Sequence, residues 1–147
     1  MDVIDEGEVV ATYPISTSKN GPGEKIESER TPRGDLVVHA MLGEGLPEGA
    51  VFVGRRPTGE VCTRERFRAE PDGDWILTRI LWLGGLETGR NRGGNVDTLR
   101  RTIYIHGCPD EIPMGIPTSR GCIRMRNSDV VDLFDRVEVG TLVRVEE

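Results

Sequence analysis

The chain has 147 residues and a net charge of −6, with 25 acidic residues against 19 basic ones. This balance disfavours a general nucleic-acid binder, which needs a basic surface. No apolar run approaches the roughly 20 residues that a membrane-spanning helix requires. Nineteen glycines and nine prolines make up about a fifth of the chain, against about 12% in average usage. Because both residues interrupt helices and shape turns, we predict one mainly β domain over residues 1–147.

The N-terminal half contains the first predicted strands. The first covers residues 9–16, where Pro14 indicates an edge or a bulge because it lacks a backbone donor. A second strand is predicted at residues 35–42 and a short one at residues 51–53. Residues 75–83 form the most apolar stretch, which favours a central strand buried on both faces. Arg79 interrupts it, so this side chain lies at the sheet margin, pairs with a carboxylate or points into a polar cleft.

The C-terminal half begins with residues 84–94, which contain five glycines and are interpreted as a mobile flap beside a site. A strand is predicted at residues 101–106. Its alternation places Ile103 and Ile105 on one face and Tyr104 and His106 on the other.

One helix and one last strand complete the prediction. Apolar residues recur at helical spacing, namely Val130, Leu133, Phe134 and Val137. Asn127 or Ser128 is the predicted N-cap, and residues 141–145 form the final strand.

Two residue types that can support nucleophilic catalysis lie 16 positions apart, in His106-Gly107 and Gly121-Cys122. A free thiol has a pKa of about 8.5, and a neighbouring imidazole can remove its proton. Glycine beside the cysteine allows close approach of a carbonyl, and the N–H groups of Gly121 and Cys122 could then stabilise an oxyanion. From composition and spacing alone, a buried structural cysteine and a hydrogen-bonded histidine remain the alternative.

Positive charge surrounds the cysteine in the sequence. Arg120 and Arg124 flank it at close spacing. Such charges can lower the pKa of a thiol and attract a carboxylate. They therefore add to the case for a nucleophile at Cys122.

The segment resembles the signature of the L,D-transpeptidase catalytic domain, the YkuD family. His106-Gly107 and Ser119-Arg120-Gly121-Cys122-Ile123-Arg124 match its His-Gly pair and Ser-x-Gly-Cys motif. The resemblance extends to five further segments, which are residues 13–17, Thr31-Pro32-Arg33-Gly34, residues 76–86, residues 95–106 and the tail at 126–134. The last three of these segments resemble the enterobacterial-type branch of the family. The resemblance covers nearly the whole chain.

The resemblance implies a β-sandwich-like domain with one short helix after the cysteine, and a reaction without a cofactor or metal. Cys122 would attack the L,D bond of a peptidoglycan stem tetrapeptide, releasing D-alanine. A second stem amine would then form a 3→3 cross-link, whereas water as acceptor would make an L,D-carboxypeptidase and some relatives attach a lipoprotein. His106 would be general base and acid, oriented by the Gly107 carbonyl.

The resemblance also assigns residues that would surround the substrate. Gly121 would supply an oxyanion donor, and Ser119, Arg120, Arg124 and Tyr104 would contact the substrate. Arg124 either holds a substrate carboxylate or braces its loop.

Two positions depart from the family pattern. Arg120 stands where histidine is frequent, which could alter acceptor preference. Cys108 stands where threonine commonly follows His-Gly. It is either a harmless buried substitution or the partner of Cys122 in a disulfide that switches the enzyme off, which would require a short Cα distance.

Two other functions remain open from the sequence. A zinc site could use His39, His106, Cys108 and Cys122, although their spacing is poor. A wall-binding domain without catalysis is the other alternative. We expect a monomer. The resemblance implies the cell envelope, but residues 1–6 show no signal-peptide pattern, so a cytoplasmic location is also considered.

Overall fold

Ten strands and two α-helices form the described part of the computed structural model, residues 1–146. The strands are β1 (Asp2–Asp5), β2 (Glu8–Thr12), β3 (Ile15–Ser16), β4 (Gly34–Leu42), β5 (Ala50–Val53), β6 (Arg56–Val61), β7 (Ile76–Gly85), β8 (Tyr104–Gly107), β9 (Ile123–Met125) and β10 (Leu142–Val145). The helices are α1 (Arg64–Ala69) and α2 (Asn127–Arg136). The prediction of a mainly β fold is confirmed. Within this range, no helix has the length and apolar character needed to cross a bilayer.

The main sheet has eight strands, of which six follow the order β10-β4-β7-β8-β9-β3. β5 pairs with the start of β7 and with β6, so these two strands extend from the side of the sheet. β8 and β9 pair in parallel, with His106 opposite Arg124. This parallel pair carries the His-Gly and Gly-Cys segments, so the two motifs become neighbours in the centre of the fold.

The strand predicted at residues 9–16 is divided in two. β2 pairs with β1 in a separate two-stranded hairpin, whereas β3 pairs with β9 in the main sheet. The chain changes sheets around Pro14, which agrees with the expected interruption. The β1–β2 hairpin was not predicted, although its Glu6-Gly7 turn has positive φ at both residues (50° and 81°), as tight hairpin turns require.

The predicted C-terminal helix is present as α2, and it covers one face of the sheet. Val130, Leu133 and Phe134 are buried and belong to the largest hydrophobic cluster. The N-cap is Arg126, so Asn127 is the first helical residue rather than the cap. Asn127 is largely buried and bonds to the sheet instead.

Three local predictions differ from the structure. The strand predicted from residue 101 begins only at Tyr104. The N–H groups of Arg101 and Thr102 instead donate to the carbonyls of Asp97 and Leu99 in turns. β6 was missed because all its residues are exposed and carry no alternation. α1 was also missed; it has only six residues and is capped by the Thr63 side chain.

Residues 84–94 are not a flap over the site. The Asn91 side chain is fully buried and donates to the carbonyls of Arg33 and Asp35 at 3.0 and 3.1 Å. A Cβ on Gly85 would lie 2.0 Å from the Asn91 carbonyl oxygen, so glycine allows this close packing. None of these residues lines the cavity at Cys122. The glycine-rich composition therefore reflects a tightly folded loop.

Arg79 matches none of its predicted environments. It lies within β7, 7% exposed, and donates to the carbonyl oxygens of Leu46 (2.9 Å) and Thr78 (2.7 Å). Its guanidinium lies 5.4 Å from the centre of the Phe134 ring. The side chain therefore faces α2 and supports the fold on the side away from the cysteine.

Candidate active site

The β8–β9 pair separates packing residues from polar residues. Ile105 and Ile123 lie opposite each other in the cluster beneath α2. Tyr104 and His106 alternate with them, as the sequence predicted. Cys122 packs beside Tyr104 in a second cluster. Cys122, which directly precedes β9, and His106 on β8 therefore lie on the same side of the sheet.

A small cavity of about 170 Å³ opens on this side of the sheet. Its lining includes every side-chain candidate of the predicted site, namely Cys122, His106, Ser119, Arg120, Arg124 and Tyr104. Asp74, Arg101 and Thr102 also line it, and the sequence analysis did not select them. The folding of the chain therefore brings the two halves of the signature to one cavity.

The Cys122 thiol is held by backbone groups. Its Sγ accepts from the Tyr104 N–H at 3.3 Å and lies 3.6 Å from the Thr102 carbonyl oxygen. Burial raises the pKa of Cys122 to about 11. Arg124 and Arg101 lower this pKa by less than burial raises it. Arg124 thus lowers the thiol pKa as expected, but burial outweighs this effect, and the thiol is protonated at neutral pH.

His106 is almost fully buried, with 1% of its surface exposed. Its Nδ1 lies 2.6 Å from the Gly107 carbonyl oxygen. An Nδ1–H donor in this bond leaves Nε2 as the proton-accepting nitrogen. The pKa of His106 is lowered to about 4, chiefly by burial and to a smaller extent by Arg124, while the Gly107 bond and Asp74 oppose the change. The imidazole is therefore neutral at pH 7.

A network behind His106 requires glycine at position 107. A Cβ there would lie 2.4 Å from Asn127 Oδ1 and 2.8 Å from the Leu77 carbonyl oxygen. Thr78 Oγ1 donates to the same Asn127 oxygen at 2.6 Å, and Thr78 has the positive φ of 74°. Such a backbone angle is strained for a β-branched residue. The sequence analysis missed Thr78 and Asn127 because their partners are distant in the chain.

Ser119 and Gly121 shape the loop before Cys122. Ser119 is 1% exposed; its Oγ donates to the Cys122 carbonyl at 2.6 Å and accepts from the Gly121 N–H at 3.2 Å. Gly121 has φ of 132°, which favours glycine. The Ser119 hydroxyl is thus bonded within the loop, and the Gly121 N–H already has a partner.

The two arginines of the signature have different environments. Arg124 Nη1 donates to the Thr118 hydroxyl at 3.1 Å and to its carbonyl at 3.3 Å, which supports the bracing interpretation. The buried Arg124 Nε has no partner among the described residues. Arg120 is exposed at the rim of the cavity.

Tyr104 forms part of an aromatic wall. Its hydroxyl accepts from Arg55 Nη1 at 2.9 Å, and the Arg55 guanidinium lies 4.4 Å from the centre of the Trp82 ring. Trp82 makes edge contacts with both Tyr104 and His39. Arg55 was absent from the predicted site because nothing in its local sequence indicates a contact with Tyr104.

The proposed Cys108–Cys122 disulfide is incompatible with the strand register. All three cysteines are free. Cys122 precedes the Ile105–Ile123 pair, whereas Cys108 follows the Gly107–Met125 pair. Along the strand direction, Cys108 and Cys122 are therefore four residues apart, or about 13 Å. This separation exceeds the roughly 7 Å limit on the Cα distance of a disulfide. Cys108 is buried, as its other interpretation held, with Sγ 3.5 Å from the Met125 carbonyl oxygen.

The four residues of the alternative zinc site are not assembled. His39 is exposed on β4 and contacts Trp82, while Cys108 lies at the far end of β8 from Cys122. Across residues 1–146, no three or more His, Cys, Asp or Glu side chains are grouped as metal ligands would be. The zinc alternative therefore has no site in this structure.

The chain is similar to known L,D-transpeptidases in sequence and in fold. A probable L,D-transpeptidase ErfK/SrfK from Salmonella typhimurium is 47% identical over 45 residues, which cover 31% of this chain and 15% of that protein. The L,D-transpeptidase structure from Xylanimonas cellulosilytica gives a TM-score of 0.51 at 21% identity, covering 99% of this chain and 54% of that one. The structure of LdtMt1 in complex with imipenem gives 0.52 at 20% identity, covering 95% and 50%.

The fold is that of L,D-transpeptidase structures. The family model for the L,D-transpeptidase catalytic domain, YkuD, matches residues 1–145. The chain therefore belongs to this family. It spans about half the length of the two solved structures.

Proposed function

We propose that this domain is a cysteine-dependent peptidoglycan L,D-transpeptidase that acts in the cell envelope. Cys122 is the nucleophile and His106 the general base. One observation carries the proposal: His106 on β8 and Cys122, which directly precedes the parallel strand β9, line one cavity. The family match supplies the substrate class, which is the stem tetrapeptide of peptidoglycan.

The protonation states of the two residues determine how the reaction starts. With thiol and imidazole pKa values of about 11 and about 4, both groups are neutral in the free domain. The thiol proton therefore passes to His106 Nε2 as Sγ forms its bond to the substrate carbonyl carbon. The imidazolium then protonates the leaving D-alanine amine as the C–N bond breaks, which gives the acyl-enzyme.

The Gly107 carbonyl has the orienting role that a carboxylate has in other catalytic sites. Its 2.6 Å contact with Nδ1 keeps Nε2 free to accept the proton. The Cys122 N–H is proposed as an oxyanion donor. The Gly121 N–H joins it by giving up its bond to Ser119. Each such donor contributes about 3–4 kcal/mol in acyl transfer.

The test uses reduced protein, a disaccharide-tetrapeptide and mass spectrometry of the products. We expect release of D-alanine and a cross-linked dimer. Cys122→Ala should abolish both products, and Cys62→Ala should retain them because Cys62 lies outside the cavity. A tripeptide without dimer would indicate an L,D-carboxypeptidase. Peptidoglycan binding by an unreactive wild type would indicate a wall-binding domain instead.

A further inference from the structure

A second, larger cavity of about 530 Å³ adjoins the Cys122 cavity. Three residues line both of them, namely Asp74, Arg120 and Arg124. Neither Cys122 nor His106 lines the larger cavity. A molecule in it would therefore meet the reacting pair only at the shared boundary.

Two opposite charges at this boundary are unpaired. In residues 1–146, the Asp74 carboxylate and the Arg120 guanidinium form no hydrogen bond and no ion pair, with each other or with any described residue. Arg124, by contrast, is bonded to Thr118. Unpaired carboxylate and guanidinium groups at the edge of one cavity suit a ligand that carries both an ammonium and a carboxylate.

Fixed backbone presents both side chains. Asp74 follows a turn in which the Gly73 N–H donates to the Glu70 carbonyl at 3.1 Å, and the buried Trp75 ring bonds to the same carbonyl at 2.8 Å. Arg120 lies between Ser119 and Gly121, whose mutual hydrogen bond closes the loop. The backbone positions from which the two side chains extend are therefore fixed before a ligand binds.

Asp74 lines the same cavity as Cys122 and His106, and its charge raises the pKa of both residues. An ammonium held at Asp74 would therefore lie at the cavity that receives an acyl group on Cys122.

We propose that Asp74 and Arg120 bind the acceptor as a zwitterion, with Asp74 at its ammonium and Arg120 at its carboxylate, and so favour aminolysis of the acyl-enzyme over hydrolysis. The inference rests on the proposed function, and it assigns the choice of acceptor to these residues. The bound ammonium releases one proton to solvent. The neutral amine then forms the C–N bond as its proton passes to His106, the C–S bond breaks, and the departing sulfur takes that proton.

The test measures the ratio of aminolysis to hydrolysis products from the disaccharide-tetrapeptide donor. Glycine and glycinamide serve as acceptors that differ only in the carboxylate. Wild type should give the higher ratio with glycine. Glycinamide is less basic, so more of it is present as the reactive neutral amine, and a preference for glycine would therefore come from its carboxylate. Asp74→Asn should lower the ratio about tenfold for both acceptors, and Arg120→Gln should lower it about tenfold for glycine alone.

Two charge-matched variants control for net charge. Arg68→Gln on α1 and Asp135→Asn on α2 remove exposed charges outside both cavities, and they should leave the ratio unchanged. Acylation by imipenem should persist in all four variants. If wild type forms cross-links but Asp74→Asn and Arg120→Gln give the same ratios of aminolysis to hydrolysis as wild type, the acceptor assignment is wrong and the proposed function stands. If reduced wild type is never acylated, the proposed function itself fails.

Discussion

The two faces of the β8–β9 pair differ in composition: one packs into the hydrophobic core and the other lines the candidate active site. The face beneath α2 carries three apolar residues, each at most 3% exposed: Ile105, Ile123 and Met125. The other face carries Tyr104, His106 and Arg124, and Cys122 directly precedes β9 on that side; each of these four residues makes a polar contact. Because strand side chains alternate, a packing residue and a chemical residue are neighbours in sequence. Stability and reactivity should therefore respond to different substitutions.

The largest effect should follow from His106→Gln on the polar face. A thiol with a pKa of about 11 has little thiolate at pH 7 and depends on a base. General-base catalysis contributes about 10²- to 10⁴-fold, so acylation by imipenem should slow by that factor. Time-resolved intact mass measures the rate. A variant that reacts as fast as wild type would show that His106 does not accept the thiol proton.

Ile105→Ala on the packing face should chiefly change stability. Removing most of this buried side chain should lower the free energy of unfolding by about 2–5 kcal/mol. Urea denaturation measures the change. Cys122→Ala on the opposite face serves as the comparison, and its free energy of unfolding should fall by less. Equal losses in the two variants would remove the distinction between the faces.

Acidification should destabilise the domain through His106. Its folded pKa of about 4 lies below the ordinary 6.5, so the unfolded chain takes up the proton first. The free energy of unfolding should therefore fall as pH decreases through the window from about 6.5 to about 4, by up to about 3 kcal/mol. Urea denaturation across this window, in wild type and His106→Gln, isolates the contribution. Parallel curves for the two proteins would contradict it.

The smallest effect is expected for Tyr104→Phe. This substitution removes the hydroxyl that accepts from Arg55 at 2.9 Å but keeps the ring against Trp82. The free energy of unfolding should fall by about 1 kcal/mol. A double-mutant cycle with Arg55→Met tests whether the loss comes from that bond, since coupling near zero would assign it elsewhere.

The sequence predicted the parts of the site that depend on local alternation and on a known signature. Tyr104 and His106 share a face, and α2 buries Val130, Leu133 and Phe134, because strand and helix periods are visible in the chain. Thr78, Asn127 and Arg55 were missed because their contacts span about 50 residues. The flap predicted at residues 84–94 was wrong, since glycine in a sequence does not distinguish mobility from close packing around Asn91.

The thiol pKa was also beyond local reasoning. Arg120 and Arg124 are visible in the sequence, whereas the burial that outweighs positive charge at Cys122 exists only in the fold. The register of β8 and β9 similarly excludes the Cys108–Cys122 disulfide that the sequence left open.

The most direct test of the account is to locate the covalent adduct after imipenem treatment of the reduced protein with all three cysteines present. Trypsin releases residues 121–124, which contain Cys122. The account predicts one adduct per chain, on this peptide, and none in Cys122→Ala. An adduct on Cys62 or Cys108 that persists in Cys122→Ala, or an unmodified wild type, would contradict the assignment of Cys122 as the nucleophile.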